Sequence, residues 1–366
     1  MEYTFGHNEN RVEHQSRFSS PTIPCRGLCL LVWVKTIEYD PDFHDNFVAG
    51  LTYMSLLRHL PWLDRCARAI PPPVLAPFSP IIAQFWKEKT SITKQAKEVM
   101  ESGAHGFEPA SKMGHRTIYH DILDSNLPPE EKELERLAQE AQILLSAGTL
   151  ATSWIMTVGC YHLLSAQGAP YLDKLHTELR DAIPDPMAEN AFELTKLEKL
   201  PYLTACVYEM MRLGNGTTTR LQRIAPNETL IFKNKETQEA YPIPAGTPTS
   251  ISAFLIHRDA AYFPEPSKFN PDRWIEDPKL TKYLLVYSKG SRQCIGMHLA
   301  DAEMYLTTAR LFRNYVSPYL KEASEDGTVG SLELYDTTEQ DVVIVADLLV
   351  PAVFEGTNGV RVRVLS

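Results

Sequence analysis

One cysteine sits in a segment that leaves the backbone few choices. Tyr287-Ser-Lys-Gly-Ser-Arg-Gln-Cys-Ile-Gly296 carries Cys294 between Gly290 and Gly296, two residues after Arg292. An apolar helical run follows at once, from Met297 to Phe312. A thiol at the mouth of a helix faces the positive end of the helix dipole. That favours the thiolate, the form that binds metals. The glycines let the chain bend tightly and approach a flat ligand closely. Arg292 can neutralise an acidic group on such a ligand through a forked hydrogen bond. A buried structural cysteine is the plainer reading. Four special positions in order ahead of an apolar helix weigh against it.

Composition narrows the classes. The chain has 366 residues, 44% of them hydrophobic, enough for a sizeable core in one large domain or two smaller ones. A net charge of -10 and the lack of any Lys/Arg-rich run argue against nucleic acid as a partner. Six scattered cysteines suit a reducing compartment better than a disulfide framework. Cys25 and Cys29 have no second Cys/His pair nearby to complete a zinc site. The run Leu28–Val34 is far too short to cross a bilayer, so no membrane anchor is expected in this chain.

Residues 1–37 read as irregular. Prolines then break helical stretches up to about Ser102, with Pro71–Pro73 as a hinge. A long, increasingly apolar helix is expected over about 130–166, with acids in its first turn. Ala147 and Gly148 inside it suggest close approach by another group. A further helix is expected over about 196–213. The pattern then changes to strands, at 228–232 and 247–254 around a turn. More strands are expected over about 331–366, with Val342–Val345 and Val360–Val364 flanking a turn at Asn358-Gly359.

Glu209 and Arg212, at i and i+3, share a helix face. Alone they are a weak signal, since surface ion pairs are common. They are followed by Phe269-Asn-Pro-Asp-Arg-Trp274 and then by the cysteine loop. In that order the three segments resemble the cytochromes P450, with Tyr287 where the family usually has phenylalanine. Tyr39–His44, Leu197–Leu203 and Ser288–Cys294 are most similar to fungal trichodiene-oxygenase-like members, and the likeness runs from about residue 38 to the C-terminus.

The resemblance implies a mainly α fold with smaller β regions, and a haem-thiolate monooxygenase that oxidises an apolar small molecule. Haem b would be the cofactor, with Cys294 as the iron ligand in the loop 287–296. Such a ligand pushes electron density onto the iron and favours O–O cleavage. Electrons would come from NADPH through a cytochrome P450 reductase. Family members sit on the cytosolic face of the endoplasmic reticulum; without an anchor this chain would be cytosolic or peripheral. Arg292 and Arg223 would hold propionates, and Gly290 and Gly296 would flank the haem. Glu209, Arg212 and Arg273 would form a structural triad. Thr218 and Ala151 would face substrate. His257 reads as structural rather than as an iron ligand.

Two departures stand out. Ala147-Gly-Thr-Leu-Ala-Thr152 occupies the family's oxygen-binding stretch, but Leu150 and Ala151 replace its acid–alcohol pair. Neither side chain can donate a proton. Thr149 and Thr152 become the candidate catalytic hydroxyls, with Ala147 and Gly148 beside them. Water, substrate hydroxyls or a peroxide substrate are other routes. An isomerase or dehydratase that needs no dioxygen, or an impaired haem-binding remnant, are the alternatives. The second departure is length: no Trp-x-x-x-Arg occurs, residues 1–37 do not resemble the family, and the domain is expected to lack its N-terminal part.

Overall fold

The computed structural model describes residues 2–5, 59–60, 62, 80–102, 118–320, 328–357 and 359–365. The readings at Cys25, Cys29, Leu28–Val34, Tyr39–His44 and Pro71–Pro73 lie outside them. The described chain is mainly helical with small sheets, as expected. It opens with β1 (Glu2–Phe5), then α1 (Pro80–Ser102), α2 (Ile118–Asp124), α3 (Leu134–Leu164), α4 (Ala169–Ala182), α5 (Leu194–Leu197) and α6 (Pro201–Gly214). Strands β2 (Gln222–Ile224), β3 (Leu230–Lys233), β4 (Ala240–Ile243) and β5 (Pro248–Ser250) precede α7 (Ala253–His257), α8 (Asp272–Glu276) and α9 (Met297–Asn314). The chain closes with β6 (Tyr315–Val316), β7 (Gly330–Leu334), β8 (Ala346–Leu348), β9 (Val350–Ala352) and β10 (Val360–Leu365).

The helix expected over 130–166 starts later, at Leu134. Pro129–Lys132 form a separate 3-10 turn and Glu133 is extended. α3 packs against α1, α6 and α9. By length and composition alone it could cross a membrane. Helix α4 also lies against it, so four helices among the described residues line its apolar sides.

The helix expected over 196–213 is two. Leu200 is extended at φ -79°, ψ 112°, the conformation forced on a residue before proline, and Pro201 opens α6. The Glu178 carboxylate on α4 then accepts the backbone N–H groups of Tyr202 and Leu203, each at 2.8 Å. An anion there satisfies two orphan donors and complements the dipole. The core gathers around α6: Leu163, Leu172, Leu175, Leu179, Leu203 and Phe312 are each fully buried.

Strand pairing differs from the pattern reading. β3 pairs with β4, β5 pairs with β2, and residues 253–257 are helical. Ser252 caps that short helix by accepting from the Leu255 N–H, a local hydrogen bond that competes with strand continuation. Val342–Val345 are not a strand, and β10 pairs with β7 and β1 instead of with them. The irregular reading of residues 1–37 is corrected at Glu2–Phe5, where a segment holding the β-favouring Tyr3, Thr4 and Phe5 adds an edge strand to β10.

Candidate active site

α6 ends at Asn215, which adopts φ +60°. Its amide side chain donates back to the Arg212 and Leu213 carbonyls at 3.1 and 3.3 Å, closing the helix. Gly216 follows at φ +58°, where a side chain would meet Ile155 and Ala151 of α3 and Val286. Thus the post-helix segment lies between the small-residue stretch of α3 and the approach to the cysteine loop.

Glu209 and Arg212 are fully buried, and Arg273 nearly so. Arg212 donates to both Glu209 oxygens, Nε to Oε2 at 2.9 Å and Nη2 to Oε1 at 2.7 Å. Arg273 Nε donates to Oε1 at 3.2 Å, the Asn270 N–H to Oε1 at 2.8 Å, and Trp274 Nε1 to Oε2 at 2.9 Å. One carboxylate therefore meets two guanidiniums and two neutral donors. Arg212 also donates to the His257 and Pro266 carbonyls. The structure brings together the three residues singled out from the sequence, and adds Trp274 and Asn270, which sequence reasoning missed.

His257 is buried within the same network. The Leu285 N–H donates to its Nε2 at 2.9 Å, so the ring proton must sit on Nδ1, which donates to Asn215 Oδ1 at 2.9 Å. Burial, with the Arg212 and Arg258 guanidiniums nearby, pushes His257 down to about 3, so it is neutral. Through it the closed end of α6 is tied to the start of the cysteine loop.

Cys294 is exposed, whereas Cys160 and Cys206 are buried. The plainer alternative, a buried structural cysteine, does not describe Cys294. Its N–H donates to the Tyr287 carbonyl at 2.8 Å, and α9 begins three residues later. Gly290 has φ +81°, and a side chain there would meet nothing within 4 Å, so backbone conformation sets the need for glycine. Arg292 is exposed.

The remaining candidates divide. Ala147 and Thr149 are exposed, Gly148 and Ala151 half-buried, and Leu150 and Thr152 buried. Thr152 hydrogen-bonds with Glu303 on α9, whose carboxyl burial pushes up from its ordinary range. Thr218 is buried rather than free, and its hydroxyl donates to Asp347. Arg223 is exposed on β2 and donates to the Gln222 carbonyl. No sequence periodicity points to Glu303 or Asp347.

The cytochrome P450 family model matches residues 55–326. The chain belongs to the cytochrome P450 family. Cytochrome P450 monooxygenase astB of Talaromyces wortmannii is 52% identical over 304 residues, 82% of this chain and 60% of that protein. Cytochrome P450 monooxygenase tpcC of Cochliobolus heterostrophus is 38% identical over 327 residues, 89% of this chain and 60% of that protein. A fusicoccadiene C-8 hydroxylase of Phomopsis amygdali is 32% identical over 336 residues, 89% of this chain and 59% of that protein. The chain thus spans about three fifths of these relatives' lengths. Cytochromes P450 work with haem, and this chain offers a fitting donor: an exposed thiol at the N-terminus of α9, on a loop whose outer side chains are free of the core.

Proposed function

We propose that this chain is the haem-holding part of a haem-thiolate monooxygenase acting on an apolar fungal secondary metabolite, terpenoid- or polyketide-like. The observation that carries this reading is Cys294, exposed at the start of α9 with its amide held by the Tyr287 carbonyl. Cys294 would ligate iron, Arg292 and Arg223 would meet propionates, and Ala147, Gly148 and Ala151 would leave room on the opposite face. Bound haem b supplies dioxygen activation and transfer of one oxygen atom to substrate, with electrons from NADPH through a reductase. Proton supply falls to Thr149 and Thr152 in place of the family's acid–alcohol pair. Thr152 stands with the Glu303 carboxyl, and burial favours its protonated form. The fusicoccadiene hydroxylase among the relatives supports an apolar substrate.

The test is the ferrous–carbon monoxide spectrum of the purified 366-residue chain after haem loading. The red-shifted band of thiolate ligation is expected, and Cys294→Ala should abolish it. A wild-type chain without that band would overturn the reading. Leu150 and Ala151 favour one second reading, an isomerase or dehydratase. It predicts turnover without NADPH and reductase, and strict dependence on both would sink it.

A further inference from the structure

Residues 288–295 project from the body of the molecule. Side chains 289–295 are all exposed, and Ile295 is 93% exposed. Two left-handed residues shape the segment, Ser288 at φ +58° and Gly290 at φ +81°. For serine that conformation is uncommon, and surrounding structure must hold it. Yet the described hydrogen bonds of this segment run within it, to Leu285 and to Tyr287. The Ser288 N–H donates to the Leu285 carbonyl at 2.8 Å, Gln293 N–H to Gly290 at 3.1 Å, and Cys294 N–H to Tyr287 at 2.8 Å.

Tyr287 is therefore the hinge of the loop, and it is fastened at its other end. Its hydroxyl donates to Oδ1 of Asp301 at 2.7 Å, on the second turn of α9. Both groups are half-buried, and burial pushes each pKa up. Tyr305 on the same helix donates to Thr204 of α6 at 3.0 Å, so α9 is itself fixed to the core. A phenylalanine at 287 could pack a ring there but could not engage a carboxylate.

We infer that Tyr287 and Asp301 form a polar latch that positions Cys294 by holding the residue whose carbonyl receives the Cys294 amide. The pair replaces ring packing alone with a charge-assisted hydrogen bond, the stronger kind. Tyr287 is a positioning residue in this scheme, acting on Cys294 through the backbone. The consequence for iron rests on the ligand role proposed above for Cys294, while the latch itself does not.

Two readouts separate the two claims. Amide hydrogen exchange on the expressed chain reads the latch with or without haem. Tyr287→Phe keeps the ring, strands the Asp301 carboxylate, and should speed exchange at Cys294 by about tenfold. Asp301→Leu should act similarly. The double variant Y287F/D301L, which restores an apolar contact, should return most of the protection. In haem-loaded protein the same single variants should lose the thiolate-ligated carbon monoxide band faster on warming, and the double variant should not. Unchanged exchange in Y287F, or a double variant showing the sum of the two single effects, would overturn the latch whatever the spectrum shows. A latch seen by exchange beside a wild-type protein lacking the thiolate band would instead overturn the ligand role.

Discussion

The hydroxyl of Thr218 donates to Oδ1 of Asp347 at 2.8 Å, joining the segment after α6 to the β8–β9 hairpin. The same oxygen receives the Thr219 hydroxyl at 2.6 Å and the Leu349 N–H at 3.0 Å. Leu349, the residue between the two strands, has φ +84°, and its carbonyl accepts the Thr218 N–H at 3.1 Å. A non-glycine residue held there costs on the order of 1–3 kcal/mol. The three hydrogen bonds on Asp347 offset it.

Asp347→Ala should therefore release the hairpin more than it destabilises the whole chain. The expected loss is about 1–3 kcal/mol in urea unfolding, with deprotection of the Leu349 amide in hydrogen exchange. Asp347→Asn keeps an acceptor oxygen and should retain most of the protection. Equal effects of the two substitutions would show that the carboxyl group's geometry is not what holds the turn.

Glu209→Gln tests the buried cluster differently. The amide matches the carboxylate in shape but leaves Arg212 and Arg273 without their shared charge, and points an N–H₂ group at existing donors. Removing one partner of a buried pair costs about 3–5 kcal/mol. That is a large share of a domain's usual stability. The variant should be recovered mostly insoluble, or with a melting temperature far below wild type. A soluble E209Q of wild-type melting temperature would refute this account of the cluster.

Two glycines outside the loops make a paired prediction. A side chain on Gly159 would collide with the Met210 side chain where α3 crosses α6, and one on Gly168 would collide with the backbone carbonyl of His162. Met210 is flexible but buried, so Gly159→Ala should cost about 1–3 kcal/mol, partly offset by alanine's helix preference. A carbonyl cannot step aside, so Gly168→Ala should cost more. Denaturant midpoints of the two variants check the order.

The parts of this molecule legible in its sequence are those with short-range or ordered signals. Glu209, Arg212 and Arg273 stand out because a helix places i and i+3 together and the third residue lies in a recognisable segment. The cysteine loop stands out because glycine, arginine and cysteine occur at set spacings just before a helix. Asp347 and Asp301 carry no such mark. One meets Thr218 across 129 residues, and the other looks like any polar residue of an amphipathic helix. Strand pairing is hidden for a related reason: short alternating runs state that a strand is possible, not which edge it joins. Thr218 and Thr152 meet Asp347 and Glu303, partners that their place in the sequence does not reveal, because a hydroxyl's direction depends on what packs against it.

Two neutral histidines, His257 buried and His162 half-buried, set the last prediction, the response to acid. Burial drives His257 to about 3 and His162, stacked on Phe269, to about 4, against an ordinary value of 6.5. Between pH 6.5 and about 4 the unfolded chain takes up a proton at each site and the folded chain does not. Stability from both is fully present above pH 6.5 and is lost as the pH falls through this window. Each site removes about 1.4 kcal/mol per pH unit where only the unfolded chain is protonated. His162→Phe keeps a ring against Phe269 and removes one titrating group. Unfolding free energies from about pH 7 down to about pH 5 should fall less steeply in this variant, by close to one proton's worth of slope. Parallel curves for wild type and variant would mean that His162 is protonated in the folded chain.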